Sequence, residues 1–437
     1  MNRAATYHLQ SATRGFALVI TLALLALLML AVLALGTLAR VSSRIAATSK
    51  FQTQARQHAL LGLETALGAL QQHAGGDDRI TAMAGVTGVS AGASSATRHW
   101  CGVWTTTGGF VGWLVSGAEP GSSAAIQSGL ARLALVSTGS VGAPAANSEH
   151  VDVGKWPIEV IDPLSGRRRV DGNFAYWVGD EGVKISAYAP DAELALAGVH
   201  PVLGSNPATS ATAKLGLALA TYGAKLPRVV TYEQLGLLPT PGAPLAASVL
   251  QDSFQHTTLT SRHLVYTGGG LVLRAGIFNL NTTSQIAWRG LLETYNSTAA
   301  GPPIAAMAMG TSPVTSLPAR IANNLALAGE AGKLPNGPFL SVAAFAGSAL
   351  LSTALAASGS GVTPEELITG IGPLLAVRSD TFRVRAGGEV LDPVDEATVR
   401  AVAYVEAVVQ RVPAAAPNAL GRRFRIIHFR WLGLDDL

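Results

Sequence analysis

The stretch that decides the fold is ATRGFALVITLALLALLMLAVLALGTLAR, residues 12–40. From Phe16 to Ala39 it carries no charge and is apolar apart from two threonines and one glycine. As a helix this run is roughly 36 Å long, enough to cross a bilayer core of about 30 Å. A secretory signal peptide has a shorter apolar core of about 7–15 residues, so cleavage after TLA (37–39) is the weaker alternative. The run predicts a single-pass transmembrane helix.

The helical pattern continues beyond the apolar run. Polar residues separate small or apolar residues that recur at the helical period, and GGDD at 75–78 ends the pattern as a glycine past a helix C-terminus does. Residues 16–75 therefore predict one long helix, with 16–39 in the membrane and an amphipathic second half that carries a globular body. The stripe consists of Val41, Ile45, Thr48, Ala55, Ala59, Leu63, Ala66 and Leu70.

Composition limits the classes of function. Charged residues make up only 13% of the chain, and the net charge of +4 comes from scattered basic residues. This pattern predicts no nucleic-acid surface. Cys101 is the only cysteine, so no internal disulfide can form, and its place between two tryptophans in HWCGVW predicts a buried packing residue.

The body alternates in the way strands do. HWCGVWTTTGGFVGWLV (99–115) predicts a hairpin around two glycines, and residues 157–188 continue in strands. Three alternating segments near the C-terminus predict an antiparallel meander, whereas about 190–375 is Ala/Leu-rich and predicts helix and loop. The fold class predicted is α+β, with the long N-terminal helix packed on a β-rich head that contains a helical insertion.

This arrangement resembles the type IV pilins and pseudopilins, which join a short basic leader to an apolar half-helix, an amphipathic half-helix and a β-rich head. The resemblance implies that prepilin peptidase cuts between Gly15 and Phe16 and that Phe16 becomes the N-methylated first residue. The alternative is an ordinary signal anchor with a chance Gly-Phe pair. Most pilins carry glutamate at the fifth mature position, but here it is Ile20. The K-type minor pseudopilin of type II secretion also lacks that glutamate, which implies a minor subunit at the fibre tip.

The flanking charges alone favour the opposite topology. Two arginines precede the apolar run, and Arg40, Arg44 and Lys50 follow it, so charge counting slightly favours a C-terminal side in the cytoplasm. The pilin resemblance outweighs this count. It implies an inner-membrane protein whose C-terminal head lies in the periplasm.

Three passages strengthen the resemblance. AYWVGDEGVK (175–184), FNLNTTSQIAWRGLL (278–292) and VRSDTFRVRAGGEV (377–390) resemble the Verru_Chthon cassette protein A family, an envelope-associated family that begins with a prepilin-type segment. The last two are also similar to pseudopilin K, in which an Asn-x-Asn-Thr segment opens a helix and a Ser-x-x-Phe strand returns to the head. The matching residues are Asn279, Asn281, Thr282, Ser379 and Phe382. A simpler alternative is that Asn281, Thr282 or Thr283 caps a helix.

The predicted organisation has five parts. They are a leader peptide (1–15), the long N-terminal helix (16–75), a first β-rich part of the head (76–189), an inserted helical domain (190–376) and a C-terminal β meander that completes the head (377–437).

Three weaker motifs offer chemistry. GVSAG (88–92) matches the G-x-S-x-G pattern of serine hydrolases, with Ser90 as nucleophile, but small residues flank it. ELITGIGPLLA (366–376) resembles a DNA-binding hairpin without the basic neighbours that phosphate contacts need. Asp171, Asp180 and Glu181 are weak candidates for calcium ligands, and a solvated turn at GDEG (179–182) is the alternative.

The function predicted is assembly without catalysis. The chain is predicted to be a minor pilin-like or pseudopilin-like subunit of a type IV pilus or a type II secretion-like machine. The predicted partners are the inner membrane, prepilin peptidase, other pilin-like subunits and an exported substrate, with no nucleic acid. No cofactor is predicted, and a structural calcium ion is left open. The alternative is an uncleaved, membrane-anchored envelope protein whose head binds a partner.

Overall fold

The structure is a computed structural model with two compact units, Met1–Gln54 and Ala55–Leu437. The long helix α1 spans His8–Ala74 and so begins eight residues before the predicted start. The residues described are 8–88, 96–142, 149–161, 166–186, 232, 234, 250–251, 253–267, 270–275, 277–298, 301–327, 332–416 and 419–437.

The second unit contains sixteen strands and six further helices among the described residues. The strands are β1 (Arg79–Met83), β2 (Cys101–Thr105), β3 (Phe110–Trp113), β4 (Arg132–Val136), β5 (Val151–Gly154), β6 (Trp156–Ile161), β7 (Arg168–Asp180), β8 (Ile185–Ser186), β9 (Thr257–Thr258), β10 (Arg262–Thr267), β11 (Gly270–Ala275), β12 (Phe278–Asn279), β13 (Leu375–Ala376), β14 (Thr381–Leu391), β15 (Val399–Ala415) and β16 (Arg422–Leu432). The helices are α2 (Thr138–Val141), α3 (Gln285–Thr298), α4 (Leu317–Leu325), α5 (Val342–Ala346), α6 (Ala349–Ser358) and α7 (Pro364–Ile371).

A five-stranded antiparallel sheet, in the order β16-β15-β14-β7-β6, is the centre of the head. Its three C-terminal strands form the predicted meander, and β2 and β3 form the predicted hairpin. A long apolar helix with a β-rich head and several helices confirms the predicted α+β fold class. The predicted domain boundaries stay predictions.

The Ala55–Ala74 part of α1 packs against this sheet. Every third or fourth side chain here is buried, as an amphipathic stripe requires. Small residues allow close contact: a β-carbon on Gly62 would lie 3.2 Å from the Ala386 β-carbon and 3.1 Å from the Ala175 oxygen. The stripe is therefore confirmed from Ala55 onward, whereas its earlier members Val41 and Ile45 are exposed. The buried members are Ala55, Ala59, Leu63, Ala66 and Leu70.

The C-terminal end of α1 is held by arginine. Arg411 is fully buried and its Nη2 donates to the Gly75 carbonyl at 2.7 Å. Asp77 accepts from Arg422 at 2.8 Å, and the Arg422 backbone nitrogen donates to Gly75 at 2.8 Å. A cation at a helix C-terminus is favourable because the last carbonyls carry partial negative charge. These contacts fix the point at which the chain leaves the helix.

Two apolar cores flank the sheet and its connections. One surrounds Trp100, Trp104, Trp113 and Trp177 with strands β1 to β5, and the other surrounds Trp288 with helices α3, α4, α6 and α7. The stretch predicted as helix and loop also contains the antiparallel hairpin β10–β11. The sequence explains this hairpin, because RHLVYT and GLVLRA are strand-like runs joined at glycines.

Candidate functional site: the apolar helix and the polar junction of the head

The Phe16–Ala74 part of α1 is the only helix in the described residues that is long and apolar enough to cross a membrane, and its most apolar window has no buried residue. Phe16 is 69% exposed and Ile20 is 48% exposed. An apolar surface of this size in a folded chain indicates a membrane or protein contact. The helix also satisfies its own hydroxyl groups, because Thr21 donates to the Leu18 carbonyl at 2.9 Å and Thr37 to the Ala34 carbonyl at 2.8 Å.

The predicted processing residues lie inside α1. Gly15 and Phe16 are consecutive helical residues, and Ile20 follows one turn later. The first acidic residue of the chain is Glu64, so no carboxylate stands on the apolar part of the helix. The structure therefore gives positions for these residues and leaves cleavage and methylation as predictions.

The three passages that carry the family resemblance meet in a buried polar junction, which we define by Thr81, Asp180, Asn279 and Ser379. Asn279 Nδ2 donates to Thr81 Oγ1 at 3.0 Å and to Ser379 Oγ at 3.2 Å. Thr81 Oγ1 donates to Asp180 Oδ2 at 2.9 Å. Residues distant in sequence thus join β1, the end of β7, β12 and the segment just before β14 in one hydrogen-bonded cluster.

Asp180 is the titratable member of the junction. Burial is the main cause that raises its pKa to about 6, although hydrogen bonds from Ser379, Thr81 and the Gly182 backbone oppose the shift. Gly182 also fits closely, because a β-carbon there would overlap Ser379. GDEG is therefore a buried turn, and the alternative of a solvated turn is wrong because the head covers it.

Asn281 extends the junction toward the helices. Its side chain pairs with the backbone of Phe339 in both directions, donating at 3.1 Å and accepting at 2.8 Å. The cap of α3 is Ser284, whose hydroxyl accepts from the Ala287 nitrogen at 3.0 Å. The prediction of a cap by Asn281, Thr282 or Thr283 is wrong, because the Asn281 side chain binds Phe339 and the helix begins one residue after Ser284.

A layer of charged residues is buried on the sheet face that points away from α1. Glu406 accepts from Arg383 at 2.9 Å, from Arg385 at 2.8 Å and from Arg430 at 2.9 Å. Burial raises the pKa of Glu406, but the three guanidinium groups outweigh burial and hold it well below its usual range. Arg383 and Arg385 are at most 1% exposed, so their charges depend on paired carboxylates, which are Glu406 for both and also Glu181 for Arg383.

Glu181 connects the charged layer to the turn after β7. It accepts from Lys184 at 2.7 Å and from Arg383 at 3.1 Å. Burial raises the pKa of Glu181, and Arg383 and Lys184 together lower it to about 2. The Phe254 ring lies 4.6 Å from the guanidinium carbon of Arg385 and 5.1 Å from the Lys184 nitrogen, so it contacts cations on two sides.

The calcium candidates are not brought together. Asp171 and Asp180 lie nine residues apart on β7, roughly 30 Å along an extended strand. Asp171 forms an ion pair with Arg169 at 3.1 Å, and Glu181 forms ion pairs with Lys184 and Arg383. Within the described ranges, no group of three or more His, Cys, Asp or Glu residues could hold a metal ion. A structural calcium ion stays a prediction.

The remaining motifs have structural surroundings where they are described. Cys101 is buried, as predicted, and burial raises its thiol pKa well above the usual value. In the 366–376 segment, Leu367, Ile371 and Leu374 are buried in the core around Trp288, which favours a packing turn. Ser90 lies outside the described residues.

No protein-family profile matches the chain, and no curated protein matches it. Among solved structures, a chain of the GspK-GspI-GspJ complex from the enterotoxigenic Escherichia coli type 2 secretion system is similar at 10% identity with a TM-score of 0.29. The match covers 64% of this chain and 84% of that chain. With a TM-score this low the likeness supports no conclusion, and the α+β fold class rests on the helices and strands described above.

Proposed function

We propose that this protein is a membrane-anchored minor subunit of a pilin-like fibre, in a type IV pilus or a type II secretion-like machine, and that it acts by assembly without catalysis. One observation carries the proposal. The helix Phe16–Ala74 is uncovered and apolar in its first half, and packs one face on an antiparallel sheet in its second half. This division of one helix between two environments is the arrangement that the pilin resemblance implies.

The proposed mechanism follows from the two halves. Residues 16–39 hold the protein in the inner membrane, with the head in the periplasm, and pack among equivalent helices when a fibre is raised. Small residues at Ala31, Ala34 and Gly36 permit close approach between helices, and a β-carbon on Gly36 would meet nothing within 4 Å in the isolated chain. The head then contacts other pilin-like subunits or an exported substrate.

Ile20 supports a tip position. A glutamate at this place in the apolar run would need a partner, because an unpaired carboxylate in hydrocarbon is costly. With isoleucine the subunit cannot make that pairing. We also propose, from the resemblance of the passages at 175–184, 278–292 and 377–390, that the chain belongs to the Verru_Chthon cassette protein A family.

The experiment is the intact mass and N-terminal peptide of the protein from its native membrane. A chain that begins at N-methyl-Phe16 supports the proposal. A chain that begins at Met1 overturns it and favours an uncleaved anchor whose head binds a partner. A start near Arg40 means that the apolar run is a signal sequence and the body is released.

A matched pair of variants tests the processing site. Gly15→Asp should leave the leader attached, because a charged side chain then stands directly before the cut, where the resemblance implies a glycine. Gly36→Ala should be processed normally, since it keeps a small residue at an open position. Equal processing of both variants would contradict the assignment of Gly15.

A further inference from the structure

Strand β16 forms one outer edge of the five-stranded sheet, and no strand pairs with its outer side among the described residues. It is 11 residues long and contains no proline. The opposite edge strand, β6, is 6 residues long and contains Pro157, which lacks the N–H group that strand pairing needs. The head therefore interrupts one edge of its sheet and leaves a long, unbroken edge on the other side.

One face of β16 is apolar and lies on the same side of the sheet as α1. Trp431 pairs with Val405, and Val405 pairs with Ala386, which contacts α1. Directly paired residues share a face of the sheet, and Arg56 of α1 lies 5.5 Å from the centre of the Trp431 ring. The helix leaves this face of the edge strand open to solvent. Its large side chains, each 39–41% exposed, are Ile426, Phe429 and Trp431.

A bulge keeps these apolar side chains together. Ile426 pairs with Val409 and Phe429 aligns with Ala407, so β16 has one residue more than β15 between the two pairs. In a regular strand, residues three apart point to opposite faces. The extra residue, Ile427, corrects the alternation and returns Phe429 to the face of Ile426.

The other face of β16 is basic. Arg430 pairs with Glu406 and Arg425 pairs with Gln410, so both arginines lie on the side of the charged layer. Arg423 precedes Arg425 by two residues and shares its face. Arg423 and Arg425 are exposed, and neither has an ion pair among the described residues. The strand contains no acidic residue that could neutralise them.

These two faces define the strand that fits the edge. A strand paired with β16 places each side chain next to a β16 side chain on the same face, and opposite charges in such pairs are favourable. Acidic residues that alternate with apolar residues therefore complement β16 on both faces. A second copy of β16 would instead bring its own arginines against these arginines, and like charges across strands are destabilising. The charge thus favours a different protein as the partner.

We propose that the outer edge of β16 binds an extended segment of a different protein, with acidic side chains on one face and apolar side chains on the other, as a sixth strand of the sheet. Backbone hydrogen bonds hold the segment, and the arginine and aromatic faces select it. The inference deepens the proposed assembly by assigning an interface to the head. It rests on that proposed function for the identity of the partner as another subunit or an exported substrate.

The first test measures binding of peptides to the full chain in uncharged detergent by fluorescence anisotropy. The probe is a fluorescein-labelled peptide in which valine and glutamate alternate. A second peptide has lysine in place of each glutamate, and a third has the valines and the glutamates in two separate blocks. We expect the alternating glutamate peptide to bind at least about tenfold more tightly than either, and more weakly as salt rises. Equal binding of the three peptides would overturn the proposal.

A charge reversal assigns the preference to β16. Arg423→Glu/Arg425→Glu should bind the lysine peptide more tightly than the glutamate peptide, and an unfolded variant could not produce such a reversal. The control Arg167→Glu/Arg168→Glu makes the same charge change at exposed positions of the head and should keep the original preference. An unchanged preference in the Arg423/Arg425 variant would contradict the assignment to this strand.

Hydrogen exchange tests the backbone pairing itself. The glutamate peptide should slow the exchange of amides in Arg422–Leu432 by at least about tenfold, because its backbone pairs with groups that otherwise face solvent. The amides of Trp156–Ile161, on the opposite edge, should exchange at the same rate with and without peptide. Binding without protection of β16 would show contact by side chains alone and overturn the added strand. Protection of β16 without peptide, rising with protein concentration, would identify a second copy as the occupant and also overturn the proposal.

The N-terminal peptide separates this inference from the proposed function. A chain that begins at N-methyl-Phe16 and binds no peptide overturns only the strand site. A chain that begins at Met1 and binds the glutamate peptide supports the strand site and overturns the assignment to a fibre.

Discussion

Gly388 of β14 lies directly beneath Ala59 of α1, and a β-carbon at Gly388 would overlap the Ala59 backbone nitrogen. The helix therefore approaches the sheet at a position where the strand has no side chain. This contact belongs to the head itself, since both residues lie within Ala55–Leu437.

Replacing Gly388 by alanine should loosen the packing of the helix on the sheet. The added methyl group meets backbone atoms that cannot rotate away, so we expect a loss of about 1–3 kcal/mol in the free energy of unfolding. Gly68→Ala is the control, because a β-carbon at Gly68 meets nothing within 4 Å and alanine favours the helix by about 1 kcal/mol. Urea unfolding of the detergent-solubilised chain measures the free energy of unfolding of both variants. Equal stability of the two variants would show that the helix does not pack here.

The sequence predicts this helix well because its physical signals are local. An uncharged run, a stripe at the helical period and terminal glycines each appear within one segment, and the strands of the meander show their alternation in the same way. The sequence does not predict the start of α1 at His8, since nothing in residues 8–15 separates a helical leader from an irregular one.

The buried charges could not be predicted in the same way. In TFRVRAGGEV the alternation places Phe382 and Val384 on one face and Arg383 and Arg385 on the other. Sequence alone treats an arginine face as exposed to water. The structure covers that face with strands and loops that are distant in sequence, and this covering is a tertiary property that the period of a single strand does not contain.

Glu406 should be the most sensitive member of the charged layer. Glu406→Gln leaves Arg383, Arg385 and Arg430 without their shared carboxylate, and breaking a buried ion pair costs about 3–5 kcal/mol. Glu159→Gln is the matched control, because its pair with Arg168 is exposed and contributes under about 1 kcal/mol. Chemical unfolding measures the free energy of unfolding of both variants. A loss for Glu406→Gln as small as that of the control would contradict the buried ion pairs of Glu406 with the three arginines.

Asp180 should make stability depend on pH in a predictable direction. Its pKa is about 6 in the folded state against 3.8 as the ordinary value, so the folded state binds the proton more tightly between these values. Stability from this group is present in full below about pH 4 and is lost as pH rises through 6. The difference of about two pKa units corresponds to roughly 3 kcal/mol.

The comparison with Asp180→Asn isolates this effect. His256 has a pKa lowered to about 4 by burial, so it acts in the opposite direction over a similar range and partly masks Asp180 in the unmodified protein. We expect Asp180→Asn to gain stability relative to the unmodified chain as pH rises from 4 to 7, whereas the exposed control Asp435→Asn should not. Unfolding midpoints across this range measure the difference, and a constant difference would rule out a buried, titrating Asp180.

The Cys101 thiol should be unreactive toward thiol reagents in the folded protein. Its thiol is buried and its pKa is raised, first by burial and further by Asp180, so little thiolate is present and the sulfur is shielded from reagents. We expect a maleimide to label the native chain at least about 100-fold more slowly than the urea-unfolded chain, since labelling requires an opening of the core. Ala47→Cys places a thiol on the exposed side of α1 and should be labelled rapidly under native conditions. Rapid native labelling at Cys101 would mean that the Trp100–Trp104 region opens easily, and the packing assigned to this core would then be wrong.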